Sequence, residues 1–551
     1  MFGRALHGDI RPFPDDFLFG VATADHQCEA HGPPWPDDIW DVWERERELQ
    51  PRRTAARFWE LFEEDIERAQ KLGCQVFRFS VAWSRVEPEP GRYDDDAFDH
   101  YRQVVLAIRQ AGMQAMVTLC HFTWPLHVEQ HAGPLRPTDR GLIADDFPAT
   151  FERYATEVAR RLGPEVEYWL TFNEPNQLVY GYIKPVWDAH YHVPPGVDAQ
   201  PPEQVARVAR LMRNLFLANA AARKAIKAVN PHARVGANPL MLGLPRWLQD
   251  HVNQNAACGH KSPPPTESGS DFPKKPLGEW GAPQVVVGAI GGIILSVLID
   301  LILHQTRHLP RGVIGGPPPL KVDTRRVSLL GIVADLVRHP RQNSILLTVC
   351  LSNWWQLGMA GQLPAYLCPP ECVGQQDFTA FDYYWGVSRW RVDLLMQLYD
   401  AMMGRYDQAP VYPQALADLL HQHARWFPGL PIVIAENGCV DQANEWSRSD
   451  YIREHLYQVQ LATHAGLPVQ AYVCWSITSN REWGLPFGPG SDFGLYHVNL
   501  DGDPALARES TPAADLYQAI IARRHVHRQP RRAQPQPDDG AVEENIQDPV
   551  G

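Results

Sequence analysis

Eight apolar stretches of strand length recur along the chain, and most are separated by segments of helical period. They are 17–23, 75–80, 114–120, the run ending at Glu174, 234–238, 377–384, the run ending at Glu436, and 469–475. Between the first two, residues 57–72 place Phe58, Leu61, Phe62, Ile66, Ala69 and Leu72 at helical spacing, and Gly73 ends the segment. Further helices are expected near 96–111 and 147–162 and over 203–229. Parallel strands need crossovers, so this alternation favours an α/β chain with a parallel sheet. Eight such units favour closure into a (β/α)8 TIM barrel.

Two of the strands deliver a glutamate. Trp169-Leu170-Thr171-Phe172 climbs to Asn173-Glu174 and is stopped by Pro175, which cannot donate to a ladder. Pro431-Ile432-Val433-Ile434-Ala435 leads to Glu436-Asn437-Gly438, where the glycine is expected to turn the chain. Taken alone, a Glu before Pro is an ordinary solvated turn residue. Two carboxyl groups at the carboxyl ends of barrel strands, where such folds keep their catalytic groups, point to a pair acting on a glycosidic bond.

Composition bounds the function. A net charge of −13 argues against a nucleic-acid binder that lives on phosphate contacts. The nine cysteines are scattered and only Cys368 and Cys372 lie close together, which suggests a reducing, cytoplasmic compartment and no structural metal. Residues 1–16 carry no apolar signal-like core. Eighteen Trp and eighteen Tyr supply faces on which sugar rings stack, although most are expected in the core.

The barrel domain is expected over 13–525, interrupted at 258–341 between strands 5 and 6, with 526–551 a Pro- and Arg-rich disordered tail. The interruption holds ten Lys and Arg against six Asp and Glu, unlike the acidic remainder. Within it, Val285 to Leu303 contains a single charge, Asp300. As a helix it would be about 28 Å long, close to a bilayer's hydrocarbon core. Two readings stay open: peripheral membrane contact through 285–303, or a helix buried against the barrel or in an oligomer interface.

At this point the sequence resembles glycoside hydrolase family 1, the retaining β-glycosidases, over about 13–255 and 343–525. The motifs that carry the resemblance stand in the family's order. They are Phe17 to Thr23 with Gln27 and Glu29; Ile39-Trp40-Asp41; Arg78-Phe79-Ser80 with Trp83, Arg85 and Pro88; His121; Asn173-Glu174-Pro175; Glu436-Asn437-Gly438; Asp450-Tyr451 through His455-Leu456; Trp475-Ser476, Asn480, Glu482-Trp483 and Phe493-Gly494-Leu495. The resemblance implies that Glu436 is the nucleophile, held ionised by Arg78, with Tyr383 donating a hydrogen bond to it. It implies Glu174 as acid/base and Asn173 on the sugar 2-OH. Gln27, His121, Trp475, Glu482 and Trp483 would bind the rest of the sugar, with no cofactor. Three departures stand out. Phe122 and Thr123 follow His121 where the family usually has Trp and Asp. Asp382 stands where Asn normally precedes Tyr383, placing an ionisable carboxyl near the nucleophile. Thr478, Ser479 and Arg481 alter the surroundings of Asn480.

The leading expectation is therefore a retaining β-glycosidase of β-glucosidase type, with hydrophobic or lipid-linked glycosides as substrates. A membrane-associated transglycosylase uses the same two glutamates. A non-catalytic sugar-binding barrel of this family typically lacks one of them, and here both are present.

Overall fold

In a computed structural model, the protein is described over residues 10–527 apart from 30–33, 51, 53, 130–139, 183–192, 197–200, 244–368, 373, 388–394, 403 and 444. The expected interruption at 258–341 and all but the first two residues of the expected tail lie outside the described residues.

Nine parallel strands form the centre: β1 (Leu18–Ala22), β2 (Val76–Ser80), β3 (Gln114–Cys120), β4 (Tyr168–Asn173), β5 (Arg234–Asn238), β6 (Leu240–Gly243), β7 (Thr379–Gly386), β8 (Ile432–Asn437) and β9 (Val469–Trp475). Their order is β5-β4-β3-β2-β1-β9-β8-β7-β6. The first strand pairs in parallel with the last, from Leu18↔Ala471 to Ala22↔Trp475, as a barrel requires.

The nine strands make the expected eight staves, and the cause of the extra strand is local. Pro239, which has no N–H to give to a ladder, separates β5 from β6 along the chain. Before it, β5 pairs with β4; after it, β6 pairs with β7 through Leu240↔Asp382 and Met241↔Tyr383. The carbonyl of Pro239 still accepts from the Asp382 amide at 3.0 Å. The two short strands thus act as one stave that closes the barrel.

The strands are buried on both faces, which explains their near-continuous apolar reading. Helices cover them. In Phe58–Leu72 the buried side chains are Phe58, Phe62, Asp65, Ile66, Ala69 and Leu72, and Gly73 caps the helix at φ 84°. The helices Asp95–Gln110, Phe147–Leu162 and Pro201–Val229 fall where the apolar period places them. The described cysteines are buried and unpaired. No helix among the described residues is long and apolar enough to cross a membrane.

Candidate active site

A cavity of about 430 Å³ opens at the carboxyl ends of the strands, lined by Glu174, Glu436, Asn173, Tyr384, Trp475 and Glu482 among others. Arg78, on β2, is its buried cation. Its Nη1 lies 2.5 Å from Oε1 of Glu436 and donates to the Ala435 carbonyl, while Nη2 donates to Oδ1 of Asn173 at 2.6 Å. The guanidinium therefore reaches from β2 to β4 and to β8, two staves that are not neighbours, and gives Glu436 a buried cationic partner.

The second oxygen of Glu436 accepts from Tyr384 at 2.5 Å. Here the sequence expectation is corrected. Tyr383 points out of the barrel and donates to the Tyr412 carbonyl at 2.6 Å. Side chains alternate across a strand, so Asp382 and Tyr384 face inward together and Tyr383 cannot. The doublet Tyr383-Tyr384 was legible; its parity was not, because β7 is buried on both faces.

Glu174 follows β4 directly. Its φ is 36°, a left-handed conformation that costs a non-glycine residue about 1–3 kcal/mol. A residue before proline is ordinarily extended. Two backbone bonds hold the turn: Glu174 N–H to the Asn238 carbonyl at 2.8 Å and Gln177 N–H to the Glu174 carbonyl at 2.7 Å. The turn carries the carboxyl over the cavity. Burial, then the neighbouring Glu436, hold it well above the usual carboxylic range, as a group that must enter as an acid requires. One carboxyl oxygen each of Glu174, Asp382 and Glu436 lies within 4.8 Å of the others.

The expected sugar-binding residues converge on the same space. Gln27 Oε1, His121 Nδ1 and Glu482 Oε1 are buried without a hydrogen-bond partner among the described residues, and all three residues line the cavity. Polar atoms in that state are costly unless a ligand meets them. His121 is held neutral, well below its usual range, by burial and by the charge of Arg78. Its ring stacks on Trp475 at 5.6 Å and on Trp483 at 6.0 Å. Burial pushes Glu482 up to about 8, although Trp475 and Asn480 hydrogen-bond it. Trp483 is braced from behind by His26, stacked at 4.9 Å.

The departures have structural counterparts. Thr123 donates to Asp25 at 2.9 Å, so the carboxylate sits on the β1 side of that contact. Trp124 lines the cavity, but its indole N–H is used on Glu129 and does not replace a donor at Phe122. Asn238, not singled out in the sequence, donates at 2.6 Å both to Asn173 Oδ1 and to Asp382 Oδ2. His26, Asp38 and Asp41 bring ligand atoms within 4.8 Å of one another, but Arg52 pairs with both aspartates and puts a guanidinium where a metal ion would go. Gly438 does not turn the chain through a positive φ. It lets β8 pass close to β9, because a Cβ there would lie 2.0 Å from the Trp475 carbonyl oxygen.

A parallel barrel with paired carboxyls in a sugar-sized cavity defines a glycoside hydrolase. The sequence matches the description Glycosyl hydrolase family 1 over residues 10–245 and 393–526, and the chain belongs to that family. It is 25% identical to a bifunctional β-D-glucosidase/β-D-fucosidase of Bifidobacterium breve, over 93% of this chain and 98% of the relative. It is 24% identical to a β-galactosidase of Pyrococcus woesei, over 93% and 97%. The fold is similar to that of the family 1 β-glucosidase from Thermotoga maritima, with a TM-score of 0.60 and 18% identity, covering 94% of this chain and all of that one.

Proposed function

We propose that the protein is a retaining β-glycosidase working by double displacement, with Glu436 as nucleophile and Glu174 as acid/base. The observation that carries this reading is the contrast between two carboxyls with oxygens within 4.8 Å of each other. Glu436 is tied to Arg78 and Tyr384, while Glu174 is buried against Glu436 and held as an acid. Retaining pairs stand about 5–5.5 Å apart, whereas inverting pairs leave room for a water. An oxygen of Glu436 attacks the anomeric carbon as Glu174 gives its proton to the departing oxygen. The ester that forms removes the charge beside Glu174. Its acidity then rises, and it takes a proton from the incoming water. Asn173, with its Oδ1 occupied by Arg78 and Asn238, turns its N–H groups toward the sugar 2-OH.

The outer cavity supports an apolar aglycone: Trp43, Leu49, Leu178, Val193, Trp385 and Leu485 line it. The nearly uncharged stretch 285–303, with Lys274, Lys275, Arg307 and Arg311 on either side of it, supports docking on a membrane surface, where lipid-linked glycosides are found. The deciding experiment has two readouts. Proton NMR of the first-formed product is expected to give the β-anomer. A 2-deoxy-2-fluoro glycoside with a good leaving group is expected to label Glu436. An α-anomer first, or a label on another residue, sinks the reading. Transfer to a lipid alcohol in preference to water would mark a transglycosylase with the same two glutamates.

A further inference from the structure

Asp382 has no part in the double displacement, yet it lies against both residues that do. It is buried on β7 in register with Glu436, and one of its oxygens is within 4.8 Å of an oxygen of each glutamate. Oδ2 accepts from Asn238 at 2.6 Å. Oδ1 is buried with no hydrogen-bond partner among the described residues.

The charges facing it define its role. Arg78 comes from β2, Glu174 from the end of β4, Asn238 from β5, Tyr384 from its own strand and Glu436 from β8. Glu482 faces Glu174 from beyond, and His121 is neutral. Arg78 is thus a single guanidinium set among three carboxyls, and Glu436 already holds it at 2.5 Å. The other two are left without a cation of their own. Burial, then Glu436, push both Asp382 and Glu174 well above the ordinary range. They are not equivalent. An aspartate is the stronger acid to begin with, and the Asn238 amide donates to its carboxyl, which favours the ionised form. No side-chain hydrogen bond to the Glu174 carboxyl is found among the described residues.

We propose that Asp382 is a positioning residue for the proton of the reaction: it releases its own proton to solvent before Glu174 does, and its charge then keeps Glu174 protonated as pH rises. The inference rests on Glu174 being the acid/base. It assigns a use to the aspartate that stands where the family normally has asparagine.

The test is the pH profile of kcat/KM for an alkyl β-glycoside, a poor leaving group that needs the acid. Asp382→Asn keeps an acceptor for Asn238 and cannot ionise; Asp382→Ser serves the same purpose should the amide variant not fold. The expected result is an alkaline limb displaced downward by about one pH unit or more, with the acidic limb in place. An alkaline limb that stays put or moves upward overturns the proposal. So does a uniform loss at every pH, which would mark Asp382 as purely structural. Failure of the underlying assignment looks different, since Glu174→Gln would then still cleave the alkyl glycoside.

Discussion

The phenol of Tyr384 lies 2.5 Å from Oε2 of Glu436, while Tyr383, one residue earlier, faces away and donates to the Tyr412 carbonyl. A hydrogen bond to a charged group contributes about 1.5–3 kcal/mol. Tyr384→Phe is therefore expected to lower kcat/KM by about ten- to a hundredfold. Tyr383→Phe should leave kinetics near wild type and cost about 1 kcal/mol of stability. Steady-state kinetics of the pair on one aryl glycoside checks the parity of β7, and the reverse ranking would be incompatible with it.

Much of this candidate site is legible in the sequence, for a physical reason. Residues such as Glu174 and Glu436 sit at strand ends, where an apolar run meets a breaker, and that junction is visible in one dimension. Tyr384, Asn238 and the burial of Asp382 were not, because a strand buried on both faces has no apolar–polar alternation to reveal which side looks inward. The split of the fifth stave at Pro239 was missed for a similar reason. A proline between two apolar stretches reads as an end, whereas here the chain continues past it and changes partner.

Removing the acid should separate substrates by leaving group. Glu174→Ala is expected to keep much of its first step on a dinitrophenyl glycoside and to lose alkyl glycosides by several orders of magnitude. Azide should restore the second step with a β-glycosyl azide product. Equal losses on the two substrates in single-turnover experiments would assign the acid elsewhere.

Gly438→Ala tests how closely β8 and β9 must approach. The new Cβ would lie 2.0 Å from the Trp475 carbonyl oxygen, and backbone cannot swing aside as a side chain can. A loss of about 1–3 kcal/mol in denaturant unfolding is expected, with weaker substrate binding because Trp475 moves. Unchanged stability would mean that the strands separate freely.

Glu482 links stability to pH. Burial raises its carboxyl from 4.5 to about 8, so the folded state holds this proton more tightly than the unfolded chain does. The stability it contributes is present below the unfolded value and is lost as pH rises through about 8. Glu482→Gln should therefore flatten the fall in Tm between about pH 5 and about pH 8. A variant whose Tm runs parallel to wild type across that window would show that the proton is not held there.

The stretch 285–303 predicts behaviour at a lipid surface. Intact protein should float with anionic liposomes at low salt and be released by high salt. A chain lacking 259–326 should stay behind yet turn over a soluble aryl glycoside, since the proposed catalytic residues lie elsewhere. Intact protein that never floats would point instead to burial of that stretch in the protein or in an oligomer.

The seam between β6 and β7 has a consequence for how such a barrel can change. β6 ends at Gly243 and β7 begins at Thr379, and Gly243 and Gly386 are register partners, so close that a Cβ on Gly386 would meet the Cα of Gly243 at 2.8 Å. Gly243 and Thr379 are both fixed in the sheet, at opposite ends of these parallel strands, and the entropy of closing whatever lies between grows only with the logarithm of its length. The seam is in effect a splice point. Sequence can be gained, lost or exchanged there for little folding cost. A polypeptide grafted at this position would ride beside the mouth of the cavity, which makes it a natural place to attach an address to an otherwise ordinary hydrolase.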